Sequence, residues 1–208
     1  MKNKQAEIVK QMSNKELLFH LYISQIIFLV IAIALSVFLF DNMEEFTSLW
    51  SFDLVDIFVL GSLVGLGVVA IDLVLMKYVP KHLMDDGGIN EKMFQRRSTP
   101  HIFFLALLIA TVEELLFRGA IQTHFGIWIA SIVFALLHIR YLHKWLLLLS
   151  VVLLSFLLGF IYEITGNILV TIWVHFIIDL LLALKIKNDF LNKVSNEEGG
   201  EGNEYKEE

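Results

Sequence analysis

Ile102-Phe103-Phe104-Leu105-Ala106-Leu107-Leu108-Ile109-Ala110-Thr111-Val112 carries no charge, and it runs straight into Glu113-Glu114-Leu115-Leu116-Phe117-Arg118. In a soluble protein this second stretch is an ordinary amphipathic turn. Here the apolar approach, and an apolar chain around it, put it at membrane depth. An ionisable residue there costs about 2.5–3.5 kcal/mol on insertion scales and usually faces a bundle interior or a wet cavity. Two carboxylates and a guanidinium in such a place need a reason beyond packing, and catalysis is the leading one.

The rest of the chain agrees with that placement. Of its 208 residues 57% are hydrophobic and 18% charged, against about 25% charged in a typical soluble domain; mean hydropathy is +0.69. A helix needs about 20 apolar residues to cross the hydrocarbon core. Six segments meet or approach this length: Leu17–Phe40, Leu54–Met76, Ile102–Ile121, Phe125–His138, Trp145–Ile161 and Ile168–Leu184. The expected fold is therefore an all-α, polytopic integral membrane bundle of about six transmembrane helices. The connection 77–100 has room for a short interfacial helix around Glu91–Arg97. Gly61 and Gly65, with Gly67 nearby, fit close helix packing in the second span.

Orientation follows from the basic residues, which concentrate in cytoplasmic loops. Lys2, Lys4, Lys10 and Lys15 precede the first span. Lys77, Lys81, Lys92, Arg96 and Arg97 join the second to the third. Arg140 and Lys144 join the fourth to the fifth, and Lys185, Lys187, Lys193 and Lys206 follow the sixth. The other three connections hold none, and Arg118 alone lies in a span. Both termini are thus expected in the cytoplasm of a multi-pass protein of the cell membrane. Net charge is -6, and much of it lies in residues 188–208, which read as a disordered, acidic, solvated tail. With no cysteine, disulfides, iron–sulfur clusters and thiolate zinc sites are excluded. The first apolar run is long and lacks a small-residue cleavage pattern, so it reads as an anchor. No internal repeat points to a transporter.

Two further polar groups fall on spans. The fourth ends Phe134-Ala135-Leu136-Leu137-His138, and the sixth carries His175-Phe176-Ile177-Ile178-Asp179. His175 and Asp179 share a helix face, as do Glu114 and Arg118, while Glu113 points about 100° away from Glu114. At ~1.5 Å per residue, Glu113 lies ~16 Å from the cytoplasmic end of its span, His175 ~13 Å and Asp179 ~7 Å. His138 would lie only about a few ångströms in, a mismatch that tilt or a broken helix must close. A carboxylate and two histidines in a wet intramembrane cavity suit hydrolysis, with the carboxylate taking a proton from water and another donor steadying an oxyanion. The same groups also suit Zn²⁺, which takes histidine nitrogens and carboxylate oxygens and keeps a position for water.

At these residues the chain resembles the CPBP family of intramembrane proteases, which includes CAAX prenyl endopeptidases and bacterial bacteriocin-immunity (Abi) proteins. The resemblance rests on Glu113-Glu114 with Arg118, Phe134 with His138, and His175 with Asp179, in that order, and on Phe117-Arg118-Gly119 and Leu158-Gly159-Phe160-Ile161-Tyr162 beside them. It covers roughly 102–184. It implies a CAAX-protease-like (metallo)endopeptidase of bacterial type that cleaves membrane-associated proteins or peptides. Glu113 and His138 would activate water, His175 and Asp179 would stabilise the oxyanion or complete the site, and Glu114 with Arg118 would support it. A divalent metal such as Zn²⁺, held by His138 and His175, stays open, as does a non-catalytic immunity or regulatory role on the same scaffold.

Three regions result: 1–100 with two spans and a cytoplasmic connection, 101–187 as the protease-like core, and 188–208 as the tail. The expected partners are a membrane-associated substrate and the lipid bilayer, with no nucleic acid; the oligomeric state is left open.

Overall fold

The computed structural model describes residues 11–84, 86–138, 141 and 144–204, with side chains up to 196. Lys2, Lys4, Lys10, Arg140 and Lys206 of the orientation argument lie outside the described residues. Among those described, all regular structure is helical. The elements are α1 (Asn14–Leu39), α2 (Met43–Ser48), α3 (Asp56–Tyr78, opening with a π-helical turn), α4 (Lys81–Met84), α5 (Ile89–Phe94), α6 (Thr99–Glu114), α7 (Thr123–Leu137), α8 (Trp145–Thr165) and α9 (Ile168–Glu204). A π-helical segment, Leu115–Gln122, joins α6 directly to α7.

By length and composition five helices can cross a membrane, the third of them being the continuous stretch Thr99–Leu137. That stretch is not straight. Gly126 has φ 80° and ψ 168°, a region open essentially to glycine alone, and the chain folds back there. The Phe117 and Phe134 rings lie 4.8 Å apart, whereas one unbroken helix would separate them by about 25 Å. The six apolar segments expected from sequence are therefore present, the third and fourth being two arms of one hairpin.

The helix ends sort onto two sides, as the alternating orientation requires. On one side, Lys92 and Arg97 donate to the carbonyls of Met12 and Asn14, and Lys187 donates to Thr99. On the other, Asn167 donates to the Ser51 carbonyl, Ile168 bonds Leu49, and His124 packs on Phe40. Lysine and arginine crowd the first side, which is the cytoplasmic one by charge. The short helix expected there is α5. α1 starts at a capping box, Ser13 accepting from the Glu16 amide and Glu16 from that of Ser13.

α9 lies centrally and packs on α3, α6 and α8. One apolar cluster joins Ala106 and Ala110 of α6 to Ile172 and Phe176, and a second joins Ile57 and Val69 of α3 to Val170, Val174 and Ile178. A Cβ at Gly61 would stand 2.9 Å from Trp173, and one at Gly65 3.0 Å from Ile177, so the glycine pair does seat α3 on α9. Gly67 has open space instead. α9 also runs through position 188, where the solvated tail was expected to begin. Three contacts account for its continuation: Lys185 pairs with Asp189 at 2.6 Å, Arg96 lies over the Phe190 ring, and Lys193 stands 3.8 Å from Glu91 on α5.

Candidate active site

The π-helical segment begins immediately after Glu114. The Leu115 amide is shared between the Thr111 and Val112 carbonyls, and the Thr123 amide reaches back five residues to Arg118. Such wide turns inside helices recur at functional sites. Leu116, Phe117 and Arg118 turn inward from it and are buried, as are Glu113 at 8% exposure and Glu114 at zero.

Glu114 is the knot of the site. Its Oε1 accepts from His175 Nδ1 at 3.0 Å, and its Oε2 lies 3.3 Å from Arg118 Nε. Arg118 is itself fully buried; Nη2 donates to the Ser155 carbonyl at 2.9 Å, and the guanidinium sits 5.6 Å from the Phe134 ring centre. One buried carboxylate thus links α6, the π-helical segment and α9, while its cation ties in α7 and α8. Charges survive burial only when paired in this way. The expected Glu114–Arg118 pair is there, and the bond to His175 adds a partner that spacing within one helix does not disclose.

Glu113 turns to another neighbour. Its Oε1 accepts from Gln25 Nε2 on α1 at 3.3 Å, and it lies within electrostatic range of Arg118, His175 and Asp179. On α9, His175 Nε2 stands 3.7 Å from Asp179 Oδ2. Asp179 is 30% exposed, so the cluster grades from a buried floor at Glu114 to an open rim.

His138 caps α7. Its Nδ1 faces the Phe134 carbonyl at 2.9 Å, and its ring stacks on those of Phe134 and Tyr141. A carbonyl only accepts, so the hydrogen of a neutral ring sits on Nδ1 and its lone pair on Nε2. The sequence-based depth of His138 needs correction. Because the chain reverses at Gly126, Phe134 lies level with Phe117; four residues on from Phe134 and four back from Phe117 both descend ~6 Å. His138 therefore comes level with Glu113, and it acts electrostatically on Asp179. The short arm of the hairpin supplies the broken helix that the depth mismatch required.

Glu113, Glu114, Arg118, His138, His175 and Asp179 are thus brought together. Two participants escaped the sequence reading. Gln25 is a polar amide in an apolar run, the same signal that exposed Glu113, but α1 reads as an anchor. Ser155 offers mainly a backbone carbonyl, for which a sequence holds no signal. As a metal centre the cluster is incomplete: His175 Nε2 and Asp179 Oδ2 converge, but among the described residues no three His, Asp or Glu groups do. A catalytic zinc takes three protein ligands, and the described residues bring two donors together here.

Fold and site together define a multi-pass helical membrane protein with a carboxylate–histidine cluster inside the bundle. The sequence model for "Type II CAAX prenyl endopeptidase Rce1-like" proteins matches residues 95–181, which include every member of that cluster except Gln25. The uncharacterized protein YpbD of Bacillus subtilis (strain 168) is 45% identical over 183 residues, 88% of this chain and 97% of that protein. The chain belongs to the Rce1-like, CAAX-protease family of intramembrane proteins. No solved structure matches it.

Proposed function

We propose that the protein is an intramembrane endopeptidase that hydrolyses a peptide bond of a membrane-associated protein or peptide with water activated by Glu113 and His138. The observation that carries the reading is the meeting of Glu113, His138, His175 and Asp179, from three helices, around a fully buried Glu114–Arg118 pair. Burying that pair costs several kcal/mol per ion before compensation, a large outlay for packing alone.

In the proposed reaction the water oxygen bonds to the scissile carbonyl carbon while one water proton passes to Glu113. His138, with its lone pair on Nε2, shares the base role. His175, held at Nδ1 by Glu114 and kept as the imidazolium by Glu114 and Asp179, donates from Nε2 to the carbonyl oxygen as charge develops there; Asp179 accepts only and acts through His175. The C–N bond then breaks, and the proton on Glu113 moves to the leaving nitrogen. Glu114 and Arg118 touch no reacting atom in this scheme; they orient His175 and the backbone that presents Glu113. The family description supports a substrate carrying a prenyl group near its cleaved end.

The test is cleavage of a farnesylated peptide with a CAAX terminus by the full-length protein in liposomes. Glu113→Gln and His138→Ala are expected to abolish cleavage while eluting as the folded protein does. If both variants retain full activity in vivo, the peptidase reading falls and the immunity or regulatory role replaces it.

A further inference from the structure

We propose that Gln25 is a positioning residue for Glu113, so that α1, which lies outside the matched region 95–181, completes the active site. The proposal rests on the peptidase reading and names a member of that same site.

Half of the residues of α1 are exposed and most of the others are partly buried. Leu17, Gln25 and Ala32 are its buried residues, and at about 100° per residue they fall on one stripe. Ala32 packs against Leu116, Phe117 and Phe134, over the π-helical segment. Two turns earlier the same stripe presents Gln25, 3% exposed, to Glu113. The polar member of an otherwise apolar contact line is therefore the one that meets the proposed base.

Its hydrogen bonding is lopsided. Nε2 donates to Glu113 Oε1, whereas Oε1 of the amide is buried without a partner among the described residues. Most buried amides have partners at both ends. Here the bond ties the Oε1 side of the Glu113 carboxylate to α1 and limits how that carboxylate can turn. The unpartnered amide oxygen stands beside that carboxylate, where a water donating one hydrogen to Glu113 can donate its other.

Three full-length proteins in liposomes test this: Gln25→Met, which keeps length and removes both polar ends, Gln25→His, which restores a donor, and Glu113→Gln. The infrared carboxylate band missing in Glu113→Gln belongs to Glu113. Gln25→Met is expected to shift that band, to lower kcat on the farnesylated peptide by about tenfold and to leave KM and the unfolding midpoint at wild-type values. Gln25→His should recover part of kcat. An unshifted Glu113 band overturns the proposal, and so does a kcat loss accompanied by a lower unfolding midpoint, which marks packing. If Glu113→Gln still cleaves, the peptidase reading falls, and the band alone then decides whether Gln25 positions Glu113.

Discussion

Neutralising Glu114 while leaving its partner in place separates an ion pair from a mere polar contact. In Glu114→Gln the amide oxygen can still accept from His175 Nδ1, so the 3.0 Å bond survives. Arg118 fares worse. It is fully buried, and beyond Glu114 its contacts among the described residues are the Ser155 carbonyl, a 3.4 Å approach to the Ser155 hydroxyl and the Phe134 ring. None of these contacts carries a full negative charge, and Glu113 acts on the guanidinium more weakly than Glu114 does. An uncompensated buried charge costs about 3–5 kcal/mol, a large part of the ~5–15 kcal/mol that holds a typical protein folded. Arg118→Met leaves Glu114 charged but still bonded to His175, so its cost should be smaller by about 1–2 kcal/mol. The double variant Glu114→Gln, Arg118→Met removes both charges and keeps the His175 bond. It should therefore be more stable than Glu114→Gln alone, since replacing a whole buried pair is often close to neutral. Intrinsic tryptophan fluorescence in detergent reads the unfolding midpoint of all three. A double variant no more stable than Glu114→Gln would refute the reasoning, as would a single-variant loss below about 1 kcal/mol.

Other outcomes follow from the same geometry. Gly126→Ala places a side chain at φ 80°; the strain of about 1–3 kcal/mol should lower the midpoint and, by misplacing His138, reduce cleavage more than folding. Gly65→Leu would drive a side chain into Ile177 and the Val174 carbonyl, costing about 1–3 kcal/mol in the same unfolding assay, while Gly67→Leu should be near neutral. With two donors converging at His175 and Asp179 and no third among the described residues, activity is expected to survive chelator treatment and the purified protein to carry no stoichiometric metal; elemental analysis before and after His175→Ala checks this, and a bound metal lost in that variant would overturn it.

Much of the fold and site was readable because lipid makes polarity conspicuous. Glu113, Glu114, Arg118, His138, His175 and Asp179 each interrupt a run that hydrocarbon would otherwise keep apolar, and they could be found without any contact being known. Partners across helices were less legible. Spacing pairs Glu114 with Arg118 and His175 with Asp179, but the Glu114–His175 bond depends on how α9 is rotated against α6. The π-helical segment is set by which carbonyl each amide selects, for which Leu115–Gln122 carries no compositional mark. The apolar segments were separated between Ile121 and Phe125, but nothing singled out Gly126, and that the chain folds back there shows only in the Phe117–Phe134 contact. The tail boundary at 188 was drawn from acidic and glycine-rich composition; Phe190 and Lys193, which continue α9 onto α5, lie beyond that line.

The central claim is that Glu113 drives hydrolysis inside the membrane. The most direct measurement compares the membrane proteomes of cells making equal amounts of wild-type protein and of Glu113→Gln, scored for new carboxyl termini on membrane-associated proteins. Such termini should appear with the wild-type protein and be missing with Glu113→Gln. The same termini in both, at equal yield, would contradict the account.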